Sequence, residues 1–73
     1  MEPQQRPLVD ARVEIDLRGP MGNAYAVMGT VCGKLRDAGR GDLVDTYTKE
    51  ATSGDYENLL RVSGRYVNFS YVR

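Results

Sequence analysis

The stretch ARVEIDLRGPMGNAYAVMGTVCGKLRDAG (residues 11–39) decides the fold, because it encodes a strand, a turn and a helix in direct succession. Apolar and charged residues alternate over residues 11–18, which is typical of a strand with one buried face. The segment from Gly19 to Asn23 interrupts this alternation, and Asn23 is a favourable helix N-cap. Beyond it, apolar residues recur every three or four positions up to Gly39, where we expect the helix to end.

Two shorter helices and a closing strand are expected in the second half of the chain. Asp42 is a candidate N-cap for a helix that stops at residues 53–54. A third short helix is expected to start at Asp55 and to stop at Gly64. Residues 66–72 are rich in aromatic and β-branched side chains, which favour a strand. The sequence therefore predicts the order strand, helix, helix, helix, strand.

The length of 73 residues leaves room for one hydrophobic core and hence for one domain. Residues 1–8 include two prolines and two glutamines, so we expect a flexible lead-in there and a single domain over residues 9–73. The expected fold class is α+β, with a two-stranded sheet packed on helices. A lone pair of strands is marginal in water and leaves two open edges. We therefore expect a homodimer that completes the sheet.

The hydrophobic core is expected to draw on one face of each element. Its predicted members are Val13, Ile15, Leu17, Val27, Met28, Val31, Leu35, Leu59, Leu60 and Phe69. The second helix is expected to add an apolar side made of Leu43, Val44, Tyr47 and Ala51. Gly29 and Gly33 leave a smooth strip on the first helix. We expect this strip to be covered, more readily by the second or third helix than by a partner.

Composition limits the chemistry available to the chain. There is no histidine and a single cysteine, Cys32, so neither a disulfide nor a zinc site of the common types is expected. We find no nucleophile motif, and we expect no enzymatic activity, no cofactor and no metal. Ten basic and ten acidic residues cancel, which disfavours nucleic-acid binding, although Arg61, Arg65 and Arg73 leave it as an alternative. The free thiol and the lack of a targeting or membrane-spanning segment favour the cytoplasm.

The turn containing Gly19, Gly22 and Asn23 is a candidate anion-binding site. It joins the end of a strand to the start of a helix, where backbone N–H groups favour a negative charge. It lacks the third glycine of the dinucleotide fingerprint and the Lys-Ser/Thr pair of the P-loop. Glycine and proline are also the residues of an ordinary tight turn. An anion or nucleotide site, assisted by Arg18 and Lys34, is therefore the alternative to a structural turn.

The closing strand is a candidate partner-binding edge. Its residues Tyr66, Asn68, Ser70 and Val72 carry no charge, whereas charged side chains alternate along the first strand. Charges on an edge strand discourage pairing with another chain. The closing strand is therefore the edge on which we expect a second copy or a protein partner.

Two segments, GPMGNAYAVMG (residues 19–29) and TSGDYENLL (residues 52–60), resemble a group of small uncharacterised proteins encoded by bacteriophages and prophages. The resemblance implies an opening strand, a GPxGN-like turn into a helix, and a TSGDY-like segment ahead of a final helix and strand. It implies no catalytic residues. Small phage proteins often bind host proteins and redirect or inhibit them, CRISPR effectors included. The expected function is thus a non-enzymatic accessory protein that binds a protein partner in a bacterial cytoplasm.

Overall fold

Two strands and three helices follow one another in the predicted order. The computed structural model describes residues 7–20 and 22–72, so the predicted flexible lead-in falls almost wholly outside the described residues. The elements are β1 (Arg12–Asp16), α1 (Ala24–Asp37), α2 (Val44–Ala51), α3 (Tyr56–Tyr66) and β2 (Asn68–Val72), with a 3-10 turn at Gly41–Leu43 before α2. This arrangement confirms the predicted α+β fold.

The two strands pair in parallel, an orientation that the sequence left open. The register runs from Arg12 opposite Asn68 to Asp16 opposite Val72. One further backbone hydrogen bond, from Leu17 N–H to the Val72 carbonyl at 2.8 Å, extends the pairing past the end of β1. Parallel strands need a long crossover connection, which the three helices supply here.

The core lies between the inner face of β1 and the three helices. Seven of the ten predicted core residues are buried, and the other three, Leu17, Met28 and Phe69, are half-buried against them. The core prediction is therefore confirmed. The residues that the structure adds to it include Val9, Val62 and Val67. Val9 reaches the core because its N–H donates to the Tyr66 carbonyl at 2.9 Å, which holds the segment before β1 against the end of α3.

Three predicted helix boundaries are confirmed. The Asn23 side chain accepts a hydrogen bond from Ala26 N–H at 2.8 Å and caps α1. The Asp55 side chain caps α3 in the same way through Asn58 N–H at 3.0 Å. Gly39, with a φ of 76°, follows the end of α1 in the left-handed region that glycine adopts without strain.

The predicted end of the third helix at Gly64 is wrong, because α3 continues to Tyr66. Ser63 and Tyr66 are both buried, and burying them keeps this part of the chain helical. The helical hydrogen bonding reaches Val67, whose N–H donates to the Ser63 carbonyl at 3.1 Å. Tertiary packing here outweighs the cost of about 1 kcal/mol that glycine adds to a helix interior.

Asp42 does not cap the second helix, contrary to the prediction. It lies in the 3-10 turn, and its carboxylate accepts hydrogen bonds at 3.1 Å from the guanidinium of Arg40. α2 begins at Val44, after Leu43, without any side-chain cap. The 3-10 turn provides the first hydrogen-bonded turn instead, and Asp42 is thereby freed to pair with Arg40.

The glycine strip on α1 is open. A Cβ added to Gly29 or Gly33 would meet no heavy atom within 4 Å among the described residues. The prediction that the second or third helix covers this strip is wrong. α1 turns the opposite face, with Val27, Val31 and Leu35, towards the core.

Replacing Leu35 tests the core directly. Leu35 is fully buried, so Leu35→Ala is expected to lower the free energy of unfolding by about 2–5 kcal/mol through lost apolar contact and the cavity left behind. Urea unfolding followed by circular dichroism measures this change. The matched control is Leu8→Ala, where the side chain is 60% exposed and the expected change is below about 0.5 kcal/mol. Equal effects at the two positions would contradict the packing described above.

Candidate functional site

Gly22 N–H and the Asn23 side chain, in the predicted anion-binding turn, have partners within the turn and the first turn of α1. Gly22 N–H donates to the Gly19 carbonyl at 3.0 Å. The Asn23 amide donates to the Pro20 carbonyl at 3.1 Å, while its oxygen accepts from Ala26 N–H. The structure thus brings Gly19, Gly22 and Asn23 together as a closed turn. Anion binding there stays a prediction.

The two cations expected to assist that turn are placed differently. Arg18 forms a two-point pair with Asp16 at 2.9 and 3.0 Å, and these hydrogen bonds hold the pKa of the Asp16 carboxyl below its ordinary value. The charge of Arg18 is thereby countered. Lys34 lies in the last turn of α1, about 15 Å along the helix from Ala24. The structure does not bring it to the turn.

The predicted partner-binding edge is only partly on the surface. Asn68, Ser70 and Val72 are exposed on the outer face of β2. Tyr66 is buried at the end of α3, and its hydroxyl donates to Glu50 Oε1 at 2.8 Å. The expectation that Tyr66 lies on the strand is wrong, because the helix continues through it. Binding of a partner at the three remaining residues stays a prediction.

The arginines of the nucleic-acid alternative lie mainly on α3. Arg61 and Arg65 are exposed and four positions apart, so they share one face of that helix. Arg61 donates to the Asn58 side-chain oxygen at 2.9 Å. Arg73 lies outside the described residues. The structure therefore shows two of the three arginines on one helix face.

A groove of about 300 Å³, which we call the Tyr25 groove, lies between the start of α1 and the turn that joins α2 to α3. Apolar side chains form its floor, among them Met28, Ala51 and Leu59. Tyr25 and Asp55 are exposed at its rim. Sequence reasoning missed this groove. The sequence feature that could have revealed it is the pair of segments GPMGNAYAVMG and TSGDYENLL, because they supply most of its lining.

Hydrogen bonds between distant residues hold the walls of the Tyr25 groove. The Tyr56 hydroxyl donates to the Gly22 carbonyl at 2.6 Å and ties the start of α3 to the turn before α1. The Asn58 amide donates to the Glu50 carbonyl at 3.0 Å and ties α3 to α2. Gly22 sits directly on the backbone of Leu17, so closely that a Cβ at this position would overlap it. The groove is therefore preformed.

The lining of the Tyr25 groove suits non-covalent binding of an apolar group. Cys32, the chain's one thiol, is not among its lining residues and is buried with its sulfur 3.8 Å from the Thr48 hydroxyl. Over residues 7–20 and 22–72, no three His, Cys, Asp or Glu side chains come together as a metal-binding group.

Two buried hydroxyls fix the packing of α2 on α3. The Tyr47 and Ser63 oxygens are 2.7 Å apart, and Ser63 donates its proton to the Leu59 carbonyl at 2.9 Å, so Tyr47 is the donor to Ser63. The Tyr47 ring meets the Tyr66 ring edge-to-face, with centroids 5.2 Å apart. Burial raises the pKa of Tyr47 and of Tyr66 to about 12, with Glu50 adding to the shift of Tyr66.

These raised pKa values have a pH consequence. The unfolded chain loses its phenolic protons near pH 10, before the folded chain does. The stabilisation from both tyrosines is therefore complete below pH 10. It is lost as the pH rises from about 10 to about 12. The cluster is a structural part of the core and lies apart from the groove.

Comparison with known proteins gives this chain no relative. No protein-family model, no curated protein and no solved structure matches it. The longest described helix, α1, has 14 residues, and none of the helices within residues 7–20 and 22–72 is long and apolar enough to cross a membrane. A functional assignment therefore depends on the exposed surfaces and the groove described above.

Alanine substitutions at Gly22 and Gly29 form a matched test of the close backbone contact beside the groove. Gly22→Ala is expected to lower the free energy of unfolding by about 1–3 kcal/mol, because the new methyl group displaces the turn from the Leu17 backbone. Gly29→Ala is expected to raise it by about 0.5–1 kcal/mol, since the added methyl meets open space on a helix. Thermal and urea unfolding measure both changes. A neutral Gly22→Ala variant would contradict the close approach.

Proposed function

We propose that this chain is a non-enzymatic binding protein that acts as a homodimer on a protein partner in the cytoplasm of a bacterial cell. The observation that carries the proposal is the position of its exposed large apolar side chains. Tyr25 is 85% exposed at the rim of the groove, and Tyr71 and Val72 are 41% and 52% exposed at the end of β2. Large apolar side chains exposed at the groove and at the strand edge favour contact with other proteins.

The two-stranded sheet supports the homodimer. β2 is an edge strand with the sequence NFSYV and no charged side chain, whereas the sequence of β1 is RVEID. Natural edge strands are usually protected by charge, so the unprotected one is the better candidate for pairing. Two copies joined along β2 about a two-fold axis would form a four-stranded sheet, which is stable where two strands are marginal.

The distribution of charge favours a protein partner over nucleic acid. Arg12, Arg18 and Arg40 each lie within 4 Å of a carboxylate two residues away. Their positive charge is therefore countered locally, and the whole chain has no net charge. A nucleic-acid partner is held mainly by uncompensated lysines and arginines. Among the alternatives, protein binding fits this distribution best.

The cellular setting of the proposal comes from the two segments that resemble phage and prophage proteins. A small phage-type accessory protein would act by occupying a surface of a host protein. An inhibitor of a host defence system such as CRISPR is one form of that function. This part of the proposal is supported by the resemblance of residues 19–29 and 52–60.

Light scattering tests the homodimer. The chain is expected to have a mass of about 16 kDa, twice the 8.1 kDa of one copy. Ser70→Lys is expected to give the monomer mass, because charges on an edge strand oppose pairing. Thr46→Lys, at an exposed position on α2, is the control and is expected to stay dimeric. A native mass near 8.1 kDa at high micromolar concentration would refute the dimer.

Affinity capture tests the protein-binding function. The full chain, immobilised in a nuclease-treated bacterial lysate, is expected to retain a protein in an amount comparable to its own, identified by mass spectrometry. Tyr25→Ala is expected to reduce that amount at least tenfold, whereas Thr46→Ala leaves it unchanged. Nucleic acid retained in place of protein, in a lysate without nuclease, would instead favour the arginines of α3.

A further inference from the structure

We propose that the Tyr25 groove receives an apolar side chain of the partner protein that is flanked by a cationic residue. The inference rests on the proposed protein-binding function and specifies the chemistry of the bound segment. It follows from the size, rigidity and charge of the groove.

The groove has room for one large apolar side chain. Its volume of about 300 Å³ lies at the lower end of the range of about 300–1,000 Å³ for ligand pockets. The floor is formed by the buried Ala51 and Leu59 and the half-buried Ala24 and Met28. An inserted aliphatic side chain would therefore lose water mainly on contact with apolar atoms.

The rim of the groove supplies an aromatic surface, and binding there costs little conformational entropy. The Tyr25 side chain is 85% exposed, so it gains contact area when a partner segment lies across the groove. A tyrosine loses little conformational entropy on binding because it has two rotatable side-chain bonds. Tyr56, on the opposite wall, is already fixed by its hydrogen bond to the Gly22 carbonyl at 2.6 Å. The site is thus ordered before binding, which favours affinity.

The charge of the groove selects a cation. Asp55 is the one charged residue among those that line it, and no charged residue occurs between Arg18 and Lys34 on the α1 side. The Asp55 Oδ1 atom accepts the hydrogen bond from Asn58 N–H. A lysine or arginine beside the inserted side chain would pair with this carboxylate, whereas an acidic residue at the same place would meet a like charge.

Titration of the isotope-labelled full chain with three capped peptides tests the proposal by NMR. The probe acetyl-Lys-Leu-Lys-amide is expected to shift the backbone amides of Tyr25, Met28, Gly54 and Tyr56. Acetyl-Glu-Leu-Glu-amide is expected to bind at least fivefold more weakly. Acetyl-Lys-Ala-Lys-amide is expected to leave these amides unshifted, because it lacks the apolar group. The chain has no net charge, so the peptides meet no general attraction that would mimic this order.

Two variants separate the roles of the rim residues. Asp55→Asn keeps an effective helix cap while it removes the charge, and it is expected to reduce the fivefold preference to less than twofold. Tyr25→Ala is expected to weaken the Lys-Leu-Lys peptide at least fivefold. Asp45→Asn, at an exposed carboxylate of α2 outside the groove, is the matched control and should keep the full preference. Amide shift dispersion verifies that each variant is folded.

The outcomes distinguish this proposal from the proposed function. Unshifted groove amides, or equal affinities for the basic and acidic peptides, would overturn the groove proposal even where a protein partner had been captured. Conversion of the dimer to a monomer by Tyr25→Ala would identify a second copy as the occupant and overturn it as well. Peptide binding that persists in the monomeric Ser70→Lys variant supports it independently of the dimer.

Discussion

The parallel pairing of β1 with β2 is the constraint on which the rest of the structure depends. Parallel strands cannot be joined by a tight turn, so the chain between them must cross from one end of the sheet to the other. The three helices carry out that crossing, and they bury the inner face of β1 on the way. Half of the sheet's hydrogen-bonding capacity is left at its two outer edges. Both the compact core and the open edge of β2 follow from this one arrangement.

The second consequence of the crossover is that the start of α1 meets the start of α3. Gly22 and Tyr56 are 34 positions apart, yet one hydrogen bond joins them. Glycine is required at position 22 because the backbone of Leu17 lies where a side chain would begin. The groove beside this junction is therefore a product of the fold and is not formed by a local sequence motif. Its α1 wall has no charged residue, and its rim has one carboxylate, that of Asp55.

Local patterns made much of the fold predictable. Alternation identified β1, and the spacing of apolar residues identified α1 and most of the core, because these features depend on neighbours within a few positions. Asn23 was recognised as a cap, and Asp55 as the start of a helix, for the same reason. The prediction for Asp42 did not hold because an ionic partner two residues away competed for its carboxylate. The end of α3 was misplaced because the burial of Tyr66 depends on contacts with distant residues.

The candidate site was less predictable than the fold. The residues of the Tyr25 groove come from two segments that are separated in sequence, and no periodicity shows that they meet. Sequence reasoning directed attention to the turn at residues 19–23, where Gly22 N–H and the Asn23 side chain have partners in the turn and the helix that follows. It also selected the uncharged strand, and the structure leaves Asn68, Ser70 and Val72 of that strand exposed. The sequence thus showed the chemical type of the candidate site residues, but it did not show which of them lie close together in the fold.

The register of the sheet also sets the order in which the domain is able to form. β1 pairs with residues 56 positions later, from Arg12 opposite Asn68, so the pairing has one of the longest loops that this chain allows. Such distant contacts form late, because the entropy of closing the loop is lost before any hydrogen bond is gained. During synthesis β1 emerges first and has no strand partner until β2 has followed the helices. In that interval both edges of β1 are open to pairing.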